Sequence, residues 1–372
     1  MSLHFATLLL AAVSVGTAGS RLAAQERPPV GPSDVPAALV QSLQGAIDAW
    51  ASTPGHRGVS ASVILASGAQ WNGVAGIAGD EPLRGDQLIA VASITKTMTG
   101  AVILQLVDDG LLHLDDPIDR WLSPREHVDP AITIRQLLNH TNGLANYTTA
   151  PALGAAIAAD PQRAFTPDEL LGFVGPPRFA PGAATEYTNT AFLLLGAIAE
   201  RATGRSIVDL YHQRLWAPLG LTQIFLPGYE EPPSAVATAY SGAAAIAPLE
   251  RLSLLSVGHS AFGLLSNART IASWGRALFV GDVLSADMQA AMRTLVPAAG
   301  NIPGESGAGL GIRAYGYLDR SQFGHSGGSS FGSSLLLFDP ESGVTVAVIM
   351  NQGSGAQHFE LAPRLLAIAA SR

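Results

Sequence analysis

Cysteine is missing altogether from the 372 residues. That excludes a disulfide framework, a thiolate nucleophile and a thiolate metal site. Lysine is almost missing: of the 21 Lys plus Arg, all but Lys96 are arginine. Charge is scarce, at 13% of residues against 48% hydrophobic, which describes a well-packed globular chain with a sparsely charged surface. The formal net charge of −8 argues against a nucleic-acid partner, because phosphate binding needs a basic face. Beyond the first two dozen residues there is no run of eighteen apolar residues, so no transmembrane anchor is expected in the mature chain.

What is present begins with an apolar, small-residue stretch from Phe5 to Ala18, about the length of a signal h-region and too short to span a bilayer. Residues 1–24 therefore read as an export signal, although the n-region carries no Lys or Arg, and the mature protein is expected to be periplasmic or secreted. Pro28-Pro29 through Pro36 reads as a linker. An amphipathic helix is predicted from Pro36 to Ala51, with Leu39, Leu43 and Ile47 at helical spacing. Two strands follow, Val59 to Leu65 and Trp71 to Ile77, then a helix apolar on nearly all sides that stops at Asp108-Asp109-Gly110.

From Leu111 to about Leu255 the pattern is mainly helix and loop. Asp115-Asp116-Pro117 is expected to start one helix, Thr133 to cap another through Leu138, and Ala191 to Ala202 to form a third. The alanine-rich segments Pro151 to Ala159 and Ser241 to Pro248 are uninformative. A further helix is predicted over Ala268 to Phe279. Strand patterns return at Gly309 to Ala314, Gln322 to His325, Ser334 to Phe338 and Val344 to Met350, before a helix from His358 to Ala370. Strands at both ends with helices between predict an α+β fold: an antiparallel sheet flanked by helices, with a mainly helical second lobe. The expected division is one lobe from 25–111 and 256–372, and a helical lobe over 112–255.

The lone lysine directs attention to Ser93-Ile94-Thr95-Lys96. Arginine keeps its proton near neutral pH, whereas a buried lysine can be tuned to lose it. Positions three apart share a helix face, so Ser93 Oγ and Lys96 Nζ can meet, placing a general base beside a nucleophile. The helix N-terminus beside Ser93 would favour an alkoxide and an oxyanion. Alone this spacing is a weak sign, since chance often places a serine three residues before a lysine. Two further clusters carry chemistry. Tyr187-Thr188-Asn189 enters the helix at Ala191, where a tyrosine can pass a proton and an asparagine can hold a substrate amide; a plain structural turn fits as well. Gly324-His325-Ser326-Gly327-Gly328 ends a strand, where glycines admit a substrate backbone and the Gly328 N–H can complete an oxyanion hole; a Gly-rich hairpin turn is its bland alternative.

Taken together and in this order, the three clusters resemble the penicillin-binding and β-lactamase superfamily of serine hydrolases. Ser93-Ile94-Thr95-Lys96 is similar to its S-x-x-K, Tyr187-Thr188-Asn189 to its Y-x-N and His325-Ser326-Gly327 to its third K/H-T/S-G motif. The resemblance covers about Gly55 to Asn351 and is strongest to the branch holding soluble DD-carboxypeptidases, class C β-lactamases and related esterases. Ile132 to Leu144 and Trp216 to Leu221 resemble flanking segments of that branch. The resemblance implies that Ser93 becomes acylated, that Lys96 or Tyr187 takes its proton, and that Tyr187 passes a proton to the leaving group. It further implies that Asn189 positions substrate and Lys96, that Ser93 and Gly328 N–H groups hold the oxyanion, and that no cofactor or metal is needed.

His325 departs from the lysine that class C β-lactamases resemble one another in carrying there. With Ser326 and Arg313, which falls where the carboxypeptidases hold a terminal carboxylate, it suggests an acyl-D-Ala peptide or ester as substrate. A solvated strand arginine is the alternative for Arg313. Three rival readings stand beside this one: a class C-like β-lactamase, a non-catalytic penicillin-binding sensor, and an α/β-hydrolase elbow at Ser326 with Asp339 and His358 following in triad order. The other histidines read as structural, with His140 a cation suited to a helix end.

Overall fold

The computed structural model describes residues 35–300, 302–353 and 355–371. The expected export signal, and nearly all of the linker, lie outside the described residues. Seven strands form one antiparallel sheet: Val59–Ile64 (β1), Gln70–Ala75 (β2), Glu305–Ala308 (β3), Arg313–Tyr315 (β4), Gln322–Ser329 (β5), Gly332–Asp339 (β6) and Val344–Met350 (β7). Their order across the sheet is β3-β4-β5-β6-β7-β1-β2. The strand from the N-terminal half thus inserts beside the last strand, with Val59 opposite Met350 and Ile64 opposite Thr345. This is the α+β arrangement expected from strands at both ends of the chain.

Side-chain alternation assigns the two faces. Leu335 and Leu337 of β6, with Val344, Val346 and Val348 of β7, meet the helices Ala37–Ala51 (α1) and His358–Ala370 (α5). Leu39, Leu43, Ile47 and Trp50 recur on one face of α1, and Leu361 and Leu365 on one face of α5. The alternate residues Leu336, Phe338, Ala347 and Ile349 meet the opposite layer, which includes helix Ala268–Val280 (α4). Both faces of β7 are covered, so its sequence VTVAVIM reads as a nearly continuous apolar run, with Thr345 its one polar residue.

Behind that second face lies the helix Thr95–Asp108 (α2), preceded by a single 3₁₀ turn over Ala92–Ile94. Every α2 residue from Thr95 to Leu104 is buried. Helix Thr190–Thr203 (α3) packs on it and ends at Gly204, whose φ of +68° suits glycine as a helix stop. Gly311, at φ +77°, lets a loop lie on α2: a Cβ there would sit 3.1 Å from Gly100 Cα and 3.2 Å from Lys96 O.

Several expectations change. The stretch Gly309 to Ala314 is not one strand, because Gly309 N–H bonds back to Ile312 O and the chain turns between β3 and β4. Asp115-Asp116-Pro117 starts no α-helix, only a 3₁₀ turn over Ile118–Arg120; Asp116 instead accepts the His113 N–H and pairs with Arg120. The alanine-rich segments do have structure, a helix over Pro151–Ala159 opened by its proline and a hairpin pairing Ala239–Ser241 with Ala244–Ile246. Thr133 caps Ile134–Leu138 as expected, in a capping box with Gln136. Among the described residues, no helix is long and apolar enough to cross a membrane.

Candidate active site

Ser93 sits in the 3₁₀ turn that leads into α2, behind Ala92, an alanine held at φ +48°. Such a left-handed alanine costs about 1–3 kcal/mol and persists because its surroundings fix it. Val91 O accepts from Ser334 Oγ at 2.7 Å, and Thr95 Oγ1 donates to Ala92 O at 2.7 Å. Lys96 follows one helical turn later and is fully buried. Its Nζ lies 3.3 Å from Ser93 Oγ, 2.7 Å from Asn189 Oδ1 and 2.8 Å from Ala261 O. Among the described residues no carboxylate pairs with this amine. Burial, and then the positive charge of Arg313, hold its pKa well below the ordinary lysine value.

Asn189 reaches Lys96 because it is the residue from which α3 springs. Two positions earlier, Tyr187 Oη donates to Ser93 Oγ at 2.7 Å. Burial pushes the Tyr187 phenol up, and the Arg313 guanidinium, 4.6 Å above its ring, draws it part of the way back. Ser93 Oγ therefore has an amine on one side and a phenol on the other.

The opposite wall is β5. Only Gln322, Phe323 and Gly324 pair with β4, so from His325 onward one edge of β5 has no partner strand. That half runs past the 3₁₀ turn, and glycine is required there: a Cβ on Gly327 would stand 2.3 Å from Val91 O and 2.4 Å from Ser334 Oγ. At Gly328 the corresponding space is open. His325 is buried, and Nδ1 lies 2.6 Å from Ser326 O; a carbonyl only accepts, so Nδ1 carries the hydrogen. Burial, and then the Arg313 charge, hold the His325 pKa well below the ordinary imidazole value, which favours the neutral ring. Arg313 is no solvated strand arginine. It is buried to 1% exposure and paired with Glu305, whose side chain is fully buried.

A cleft of about 320 Å³ brings Ser93, Tyr187, Asn189, Arg313, His325, Ser326 and Gly328 to one surface. Three participants escaped sequence reasoning. Ala261 contributes only a backbone carbonyl, which no motif encodes. Glu305 carries no local signal. His140 was expected as a cation at a helix end; instead it is buried at φ +64°, its ring 4.6 Å from that of Tyr187, and burial followed by the Arg313 charge holds its pKa well below the ordinary imidazole value. The α/β-hydrolase elbow is ruled out, because β5 continues beyond Ser326 and turns into β6 with no helix between. No cluster of three or more His, Asp or Glu placed to hold a metal occurs among the described residues.

This fold and this serine–lysine–tyrosine cluster define a class that comparison with known proteins makes explicit. A family model described as Beta-lactamase matches residues 39–371, and the chain belongs to that family. Esterase EstB of Burkholderia gladioli is 37% identical over 153 residues, 38% of this chain and 38% of that protein. D-aminopeptidase of Brucella anthropi is 34% identical over 143 residues, 38% of this chain and 26% of that protein. The chain thus matches well under half the length of these curated relatives. Among solved structures, a D-stereospecific amidohydrolase from Streptomyces sp. superimposes with TM-score 0.76 at 31% identity, covering 87% of this chain and 98% of that one. The D-amino acid amidase from Ochrobactrum anthropi SV3 complexed with L-phenylalanine amide gives TM-score 0.82 at 27% identity, covering 90% and 99%.

Proposed function

We propose that this chain is a serine hydrolase that cleaves esters or amides through an acyl-enzyme on Ser93. The observation that carries the reading is Ser93 Oγ held between Lys96 Nζ and Tyr187 Oη, with the amine buried and lacking a counter-ion among the described residues. The two pKa directions distinguish the partners. A lowered lysine favours the neutral amine, a competent base, whereas a raised tyrosine disfavours phenolate. Lys96 therefore takes the Ser93 proton as Oγ bonds to the substrate carbonyl carbon. The oxyanion forms against the N–H groups of Ser93 and Gly328. Collapse breaks the bond to the leaving group, whose oxygen or nitrogen receives a proton through Tyr187 Oη. Water then attacks the Ser93 ester, releasing the carboxylic acid and restoring the hydroxyl. Asn189 keeps Lys96 aimed throughout.

The Arg313–Glu305 pair supports an uncharged ester or amide over an acid-terminated peptide, because the guanidinium already has a carboxylate partner. A relative named as an esterase points the same way. A DD-carboxypeptidase-like reading is kept by one observation: Arg313 still lines the cleft beside Ser326. A turnover panel of a short acyl ester, a D-amino acid amide, a D-Ala-D-Ala peptide and a cephalosporin distinguishes these, and cephalosporin turnover alone would favour a β-lactamase. The reaction class is tested by mass spectrometry after fluorophosphonate treatment. The expected adduct is on Ser93; an adduct on Ser326, or on neither serine, would overturn the reading.

A further inference from the structure

Helix Ile134–Leu138 stops in a turn where glycine is the usual residue. Thr141 N–H donates back to Gln136 O at 3.0 Å, closing the turn over Asn139 and His140. The left-handed position is nevertheless filled by His140, at φ +64° and buried. A side chain is strained there and glycine is not, so the imidazole is kept in place by what it touches.

It touches Tyr187 and both of that residue's chain neighbours. Glu186 N–H donates to His140 O at 3.0 Å, and Thr188 N–H to His140 Nδ1 at 3.4 Å. Between these two anchors the phenol ring lies 4.6 Å from the imidazole, centre to centre. The same turn holds the chain leading up to them: Gly182 N–H donates to Thr141 O at 2.7 Å and Arg178 N–H to Gly143 O at 2.8 Å. Phe192 of α3 lies 5.5 Å from the imidazole, so histidine, tyrosine and helix pack as one block. To accept at Nδ1 the ring must carry its hydrogen on Nε2, the neutral form. His140 itself does not line the cleft and makes no hydrogen bond to Ser93 or Lys96. Whatever it contributes to the chemistry passes through Tyr187.

We propose that His140 is the positioning residue for Tyr187. It fixes the backbone on either side of the tyrosine and the tilt of its ring, and so holds Oη 2.7 Å from Ser93 Oγ. The proposal rests on the acyl-enzyme reading above, in which that hydroxyl passes a proton to the leaving group. Oη is the tyrosine atom farthest from the backbone, so a small change of ring tilt moves it most. A misplacement of about 1 Å at a reacting centre costs up to about 10²-fold in rate.

The test is a double-mutant cycle read on an amide and a p-nitrophenyl ester of one acyl group. His140→Gly takes the left-handed turn without strain but removes the ring and Nδ1. It is expected to lower kcat for the amide about tenfold, with KM little changed and the ester less affected. In Tyr187→Phe the same substitution is expected to cost less than about twofold, because the hydroxyl it positions is gone. His140→Asn also tolerates the turn and keeps an acceptor where Nδ1 stood, so its loss on the amide is expected to be about threefold. Should the glycine variant not fold, the cycle is run with asparagine, whose loss is likewise expected to vanish in Tyr187→Phe. Equal factors in both backgrounds, equal losses on amide and ester, or no loss in either variant would overturn the positioning role. A fluorophosphonate adduct on Ser93 beside any of those results leaves the acyl-enzyme standing. No adduct on Ser93 in the unaltered protein would remove the acyl-enzyme and, with it, this role.

Discussion

Two walls of one cleft each bury a cation, and they treat it differently. On the strand wall, Arg313 is 1% exposed and faces the fully buried carboxylate of Glu305. On the helix wall, Lys96 is equally buried and, among the described residues, faces only neutral oxygens: Ser93 Oγ, Asn189 Oδ1 and Ala261 O. A guanidinium cannot shed its proton, so burying it demands a counter-charge. An amine can shed its proton, so burying it without one favours the neutral form. The same low-dielectric surroundings thus produce a fixed charge on one wall and a base on the other. The fixed charge also acts on the base, since Arg313 is the second cause lowering Lys96.

The sharpest break of this contrast is Lys96→Arg, which places an obligate cation on the helix wall. Acylation by a p-nitrophenyl ester, followed as burst amplitude and rate, is expected to fall by about 10³-fold or more. Near-normal acylation in a folded variant would contradict the assignment of the base. Next in size is Tyr187→Phe, which keeps the ring beneath Arg313 but removes the hydroxyl 2.7 Å from Ser93 Oγ. The expected loss in kcat is about 10²-fold for amides, whose leaving group needs a proton, and smaller for p-nitrophenyl esters. Equal losses on both substrates would place Tyr187 outside leaving-group protonation. The smallest effect is a displacement along the pH axis. The Lys96 amine accepts a proton only when neutral, so acylation rises as pH climbs through its pKa. Arg313→Gln removes a cation, lets that pKa rise and moves the acid limb to higher pH. Glu305→Gln leaves Arg313 uncompensated and moves the limb to lower pH. Shifts in the same direction for both variants would show that the field of the strand wall does not reach Lys96.

Much of the scaffold could be read from the sequence, because its signals are local. Helix His358–Ala370 carries helical periodicity, strand Val344–Met350 is a short apolar run rich in β-branched residues, and Thr133 with Gln136 forms a capping box. Ser93 and Lys96 are three residues apart in sequence, so their meeting needed only a helix. Where the reading failed, the cause was tertiary. Gly309-Leu310-Gly311-Ile312 alternates like a strand, yet Gly311 turns the chain to fit against Gly100. His140 follows a helix and resembles a cation at its end, but burial beside Tyr187 removes the charge. Glu305 and Ala261 act on Arg313 and Lys96 through space, from positions with no pattern of their own.

Because Lys96 is the single lysine in 372 residues, its titration can be observed without interference. Protein grown with lysine labelled with carbon-13 at Cε yields one lysine resonance, whose shift against pH reports the amine directly. The account predicts a midpoint well below the ordinary lysine value of 10.5. A midpoint at or above that value in the folded protein would mean that the amine stays charged beside Ser93, and the base would have to be sought elsewhere.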